Sequence, residues 1–172
     1  MADLTRLYRE LVSLEIELWN GVEGRLRAEY DLPLTSFEVL HLLLRRPGSR
    51  IQDIAEEFSI TVGGTSKVVD RLEAAGWCER RANPHDRRSS IIELTAEGRK
   101  LTEAAVKVFE EELELRIGKV IPEQSVREVT SVLSTLRAAG RALDAERKAA
   151  GQTPAPAPAM RAPKQPSRSA AS

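Results

Sequence analysis

The chain has 172 residues, 41% of them hydrophobic, 30% charged and only 4% aromatic, which suits a helix-rich globular domain and argues against extended stacking of single-stranded bases on aromatic rings. Its 26 basic and 26 acidic side chains cancel. Three of the bases (Arg161, Lys164, Arg168) fall in the acid-free stretch 149–172, so residues 1–148 carry 23 bases against 26 acids and any nucleic-acid footprint has to be a local patch.

Leu4, Leu7, Leu11, Leu14, Leu18, Val22 and Leu26 recur at spacings of three and four and predict one long amphipathic helix that ends before Pro33. Thr35-Ser-Phe-Glu38 has the form of a capping box and predicts a short helix burying Phe37, Leu40 and Leu44, closed by Pro47-Gly48. Ser49-Arg-Ile-Gln52 has the same form and predicts a second short helix through Phe58. Capping hydroxyls at Ser59 and Thr61 lead into a third helix, with Val69, Leu72 and Ala75 inward, Val68 at the margin and Gly76 as its C′ residue. Trp77–Arg81 and Ser89–Leu94 read as two strands joined by the polar loop 82–88, a β-hairpin. Thr95 caps another long helix, and Pro122 suits the first position of the last one, with a stripe of Val126, Val129, Leu133, Leu136, Gly140 and Leu143. From Gly151 the composition turns to Pro, Ala and Ser, the signature of a disordered tail.

The expected fold is therefore mainly α with a small β-hairpin wing: a winged helix-turn-helix (33–98) between dimerisation helices (1–32 and 118–148), with a connecting long helix at 99–117 and a tail at 149–172. The outer stripes exceed what the compact middle can cover, which predicts a homodimer.

Four stretches, in order, resemble the multiple-antibiotic-resistance regulator (MarR) family: Ile51-Gln-Asp-Ile-Ala-Glu56, Ser66-Lys-Val-Val-Asp-Arg-Leu-Glu-Ala-Ala-Gly76, Asn83-Pro-His-Asp-Arg-Arg-Ser89 and Leu94-Thr-Ala-Glu-Gly98. The resemblance implies a transcriptional repressor that binds double-stranded DNA at a pseudo-palindromic operator and is released by a small aromatic or phenolic effector. The third short helix would enter the major groove. On its wheel Gly63, Gly64, Lys67 and Arg71 lie opposite the core, with Thr65 and Ser66 at the flanks, and the two cations stack on one face. Each can neutralise a phosphate or reach a guanine edge. Gly63-Gly64 departs from the family's pattern and has two readings, close backbone approach to DNA or a loose turn before a later helix start. In the wing the resemblance gives Arg88 a minor-groove contact, Asp86 the task of holding it and Arg87 a phosphate contact. It also places an effector cleft beside Trp19, Tyr30, His41 and Arg45, with Trp19 equally suited to a dimer core.

The remaining residues point elsewhere or nowhere. The one cysteine, Cys78, precludes an intrachain disulfide and reads as a small buried hydrophobe. His41 and His85 share no ligand spacing with other donors, so neither metal nor cofactor is expected. No nucleophile elbow, phosphate loop or metalloprotease helix occurs, so no enzyme activity is expected. With no signal-peptide pattern at the start and no apolar run near the ~20 residues of a membrane span, a cytoplasmic location without a membrane partner is expected. The alternative function is a winged-helix protein-interaction module whose DNA face has decayed, to which the glycine pair and zero net charge point.

Overall fold

The computed structural model describes residues 3–84 and 89–151. In order it contains α1 (Leu4–Tyr30), α2 (Leu34–Arg45), β1 (Ser49–Arg50), α3 (Ile51–Phe58), α4 (Val62–Ala74), β2 (Cys78–Ala82), β3 (Ser90–Leu94), α5 (Ala96–Leu113) and α6 (Glu123–Ala149). A π-helical segment, Glu114–Gly118, prolongs α5. This is the expected mainly α fold with a hairpin wing. The tail from residue 152 and the hairpin tip at 85–88 lie outside the described residues.

The core is built on α2. Leu34, Phe37, Val39, Leu40, Leu42 and Leu43 are all buried, because α1, α4, α5 and β3 enclose the helix on several sides. The expected stripe was narrower, and its Leu44 is only half-buried. The start of α2 also differs. Thr35 and Glu38 form no capping box; Pro33 sits at the N-cap and offers no side-chain acceptor. The free N–H of Leu34 instead donates to the buried Glu23 carboxylate of α1 at 2.5 Å, and Arg27 pairs with the same carboxylate. A carboxylate placed there meets both an orphan donor and the positive end of the helix dipole.

The second expected box is displaced by one residue. Ser49 donates its hydroxyl to the Arg46 carbonyl at 2.7 Å, and Asp53 accepts from the Arg50 N–H at 2.8 Å to open α3. Ser49 and Arg50 are strand residues, paired with Ile92 and Ile91. The sheet thus has three antiparallel strands in the order β1-β3-β2, where two were expected.

Both threonine caps form as expected. Thr61 accepts from the Gly64 N–H at 3.1 Å at the start of α4. At its other end Gly76 adopts φ +76°, and the N–H groups of Gly76 and Trp77 return to the carbonyls of Glu73 and Leu72 at 2.9 Å. That is a Schellman closure, which a Cβ would oppose. Thr95 accepts from Gly98 at 3.0 Å and donates to the Gly76 carbonyl at 2.7 Å, locking α5 to the end of α4. Pro122 is the N-cap of α6 rather than its first helical residue.

The long outer helices remain uncovered. Buried residues of α1 are confined to Val22, Glu23 and Leu26 in its C-terminal half, and α6 has none. Leu4 is 71% exposed, Leu7 50% and Leu136 52%.

Candidate nucleic-acid interface

The helix-turn-helix consists of α3 and α4. Gly63, Gly64, Lys67 and Arg71 stand on the exposed side of α4, and Ser66 is half-buried. Thr65 departs from the expected flank position: it is fully buried. It shares the three- and four-residue spacing of Val68, Val69 and Leu72, and its hydroxyl donates to the Thr61 carbonyl at 3.1 Å. The hydroxyl is satisfied inside the helix, so Thr65 is a core residue with no surface to offer DNA. Ala75, expected inward, is exposed, and Val68 belongs to the core.

The glycine pair is helical. Because α4 begins at Val62, the loose-turn alternative does not describe it. A Cβ at Gly63 would meet nothing within 4 Å, whereas one at Gly64 would sit 3.1 Å from the Thr61 hydroxyl. Nothing in the protein's own packing therefore requires Gly63.

Charge is sorted unevenly over this surface. On α4, Asp70 and Glu73 both pair with Arg80 of β2, and Glu73 also accepts the Arg80 N–H at 3.1 Å. On the wing, Glu79 and Glu93 are register partners, an unfavourable like-charge opposition that Arg81 relieves at 2.9 and 3.3 Å. Asn83 closes the hairpin, its N–H on the Ser89 carbonyl at 3.2 Å. Lys67 and Arg71 make no ion pair among the described residues; the Arg71 Nε–H reaches only the Lys67 carbonyl, at 3.3 Å. The expected wing contacts Asp86, Arg87 and Arg88 fall outside the described residues.

Of the four residues expected at an effector cleft, Trp19 lines a groove on the described part of the molecule. This groove, about 350 Å³ in volume, lies between α1, α2, α5 and α6 and is walled by Leu18, Leu34, Phe109 and Leu113, with Glu15 and Glu38 as its charged residues. The indole Nε1–H of Trp19 is buried without a hydrogen-bond partner. Tyr30, His41 and Arg45 do not line it. His41 instead stacks on Phe37 with ring centroids 5.3 Å apart, and burial, with Arg45 nearby, lowers its pKa. Arg45 is exposed at the end of α2. On α2 it is position 38, rather than 41 or 45, that shares this groove with Trp19.

Burial pushes the Glu38 carboxyl up to about 7. The folded state then binds a proton that the unfolded chain releases between about pH 4.5 and 7, so Glu38 erodes stability as pH rises through that window. Glu38→Gln is expected to raise stability at pH 8 by the order of 2 kcal/mol and to change little at pH 4.5, as read from urea melts at both pH values.

Cys78 is buried, its Sγ–H on the Val69 carbonyl at 3.9 Å, and burial raises its pKa to about 11, so it stays a thiol at neutral pH. Among the described residues no group of three His, Cys, Asp or Glu side chains is placed to hold a metal ion, and no helix is long and apolar enough to cross a membrane.

Three short helices, a three-stranded sheet and an extended hairpin, with a cationic outer face on the third helix, define a winged helix-turn-helix protein. The MarR family model matches residues 32–90. An uncharacterised HTH-type transcriptional regulator of Bacillus subtilis, YfiV, is 30% identical over 106 residues, spanning 60% of this chain and 66% of that protein. The multiple antibiotic resistance protein MarR of Escherichia coli is 26% identical over 132 residues, 73% of this chain and 92% of that protein. Among solved structures, the transcriptional repressor CouR bound to a 23-mer DNA duplex matches with a TM-score of 0.71 and 28% identity, over 80% of this chain and 96% of that one. The family model, the curated relatives and the solved structures agree in making this chain similar to the MarR family of transcriptional regulators.

Proposed function

We propose that this protein is a homodimeric repressor that binds a pseudo-palindromic DNA duplex and is released by a small aromatic effector. One observation carries DNA binding: on α4 the two acids are neutralised by Arg80, and the two cations Lys67 and Arg71 stand exposed without an acidic partner. A helix with that face suits the negative major groove. The wing tip, with Asp86, Arg87 and Arg88, would extend the contact into the flanking minor groove. Selection of duplexes from a random pool, followed by salt titration of the selected one, tests this. Affinity should fall steeply with salt. Absence of any salt-dependent duplex binding would turn the assignment to a protein-interaction module.

Dimerisation is assigned to residues 1–32 and 118–148. The uncovered apolar stripes of α1 and α6 support it, since so much exposed leucine on one molecule marks an interface. Two copies would present their α4 helices about one helical turn (~34 Å) apart.

The Trp19 groove is the effector site in this reading. Its walls, Trp19 and Phe109 among aliphatic side chains, suit an aromatic ring. No cation lines it, so a neutral phenol fits better than a carboxylate, which would meet Glu15 and Glu38. Release requires the ligand to bind more tightly to a dimer whose α4 spacing does not match the operator.

Close approach of α4 to DNA explains Gly63. An alanine there is sterically free in the protein and replaces a glycine in the first turn of α4, so Gly63→Ala should stabilise the fold by about 0.5 kcal/mol. The same methyl should weaken binding of the selected duplex about tenfold. Opposite signs in melts and in binding isotherms are the expected result; unchanged binding would remove close approach.

A further inference from the structure

We propose that Arg80 is a positioning residue for duplex binding, holding the wing at one setting against α4 through Asp70 and Glu73. The inference rests on the DNA-binding function proposed above and goes beyond the residues assigned to contact DNA. Arg80 is the middle residue of β2, paired with Ile92 of β3. Its backbone N–H reaches Glu73 at 3.1 Å, and its guanidinium spans Glu73 and Asp70, three residues apart on one side of α4. The side chain is 27% exposed, more enclosed than either carboxylate it holds. A planar fork bonds two carboxylates at fixed angles, which a flexible ammonium cannot do.

Such a tie matters because the wing is a lever. The five residues of β2 span four rises of about 3.3 Å, so its far end stands roughly 13 Å from its start. A tilt of about 10° displaces that far end by about 2 Å, most of the length of a hydrogen bond. Two elements that must enter adjacent grooves together tolerate little of that. The Schellman turn and the Thr95 lock fix where the wing begins, while Arg80 fixes its angle.

Neutralisation of the two acids is a competing account of the same contacts, and the two make opposite predictions. The test uses the full-length dimer, a duplex selected from a random pool and a scrambled duplex of equal composition. Arg80→Met and the double variant Asp70→Asn/Glu73→Gln are each expected to reduce the selected-to-scrambled affinity ratio at least tenfold. Arg80→Lys, which keeps the charge and can satisfy one carboxylate at a time, should fall between them and the parent. The double variant makes α4 more positive by two charges. If Arg80 served only to cancel charge, that variant would bind both duplexes more tightly at an unchanged ratio, and positioning would be overturned. A parent that discriminates, with variants that do so equally well, overturns this inference alone. A parent that binds no duplex overturns the functional assignment and this inference with it. Circular dichroism and cooperative melting of Arg80→Lys and the double variant exclude loss of fold as the cause.

Discussion

Lys67→Ala combined with Arg71→Ala is expected to weaken duplex binding at least a hundredfold at moderate salt while leaving stability within about 0.5 kcal/mol. The stability half follows from exposure: neither side chain has an ion pair to lose, and surface substitutions of that kind are nearly neutral. The binding half follows from symmetry, since a dimer loses four cations. If all four neutralise phosphates, the slope of log K against log salt should fall by about 0.9 per contact, close to 3.6 in total. If one of each pair reads a guanine edge, the slope should fall by about half as much and discrimination at that base should relax by about 1–3 kcal/mol. Anisotropy titrations from 50 to 300 mM KCl separate the two cases. Unchanged affinity at 100 mM would show that α4 does not carry the interface.

What was legible in the sequence was local. The threonine caps at 61 and 95, the glycine at 76 and the alternation of the hairpin each involve residues a few positions apart, and each appears where expected. The failures share a cause in tertiary contacts. Thr35 and Glu38 have the letters of a capping box, yet a carboxylate eleven residues upstream reaches the Leu34 N–H first. Ser49 has the letters of an N-cap, yet it pairs with a strand more than forty residues away. Thr65 is polar and invited a surface placement. Its spacing to Val68, Val69 and Leu72 carried the contrary signal and was the better guide.

The candidate site divides the same way. Lys67 and Arg71 were visible because a single helix wheel suffices to place them. The Arg80 tie was not, since it joins a strand to a helix across a turn; its only sequence trace is an arginine seven residues after Glu73 and ten after Asp70. The four expected effector residues do not share one groove in a single copy, because they sit on different turns and ends of helices. Trp19 faces the groove, whereas Arg45, two turns of α2 beyond Glu38, points to solvent.

Leu136→Asp on α6 is expected to dissociate the dimer and abolish operator binding at concentrations where the parent is fully bound. In one copy Leu136 is 52% exposed and the whole of α6 buries nothing, so a carboxylate there costs the isolated chain little. In a two-fold interface the same substitution buries two unpaired charges, one from each copy, at several kcal/mol apiece. The geometry leaves room for an interface of the necessary size. Helices α1 and α6 each run 27 residues, about 40 Å, and their exposed stripes can exceed the roughly 1,000 Å² that a stable association needs. Ser134→Asp, on α6 but off the stripe, is the control and should leave the dimer intact. Sedimentation velocity should show Leu136→Asp as a monomer and Ser134→Asp as a dimer at the same concentration. DNA binding should follow, because one half-site held by one α4 lacks the effective concentration that linkage to a second gives it. A Leu136→Asp protein that stays dimeric would move the interface off α6 and leave α1 alone to explain the exposed leucines.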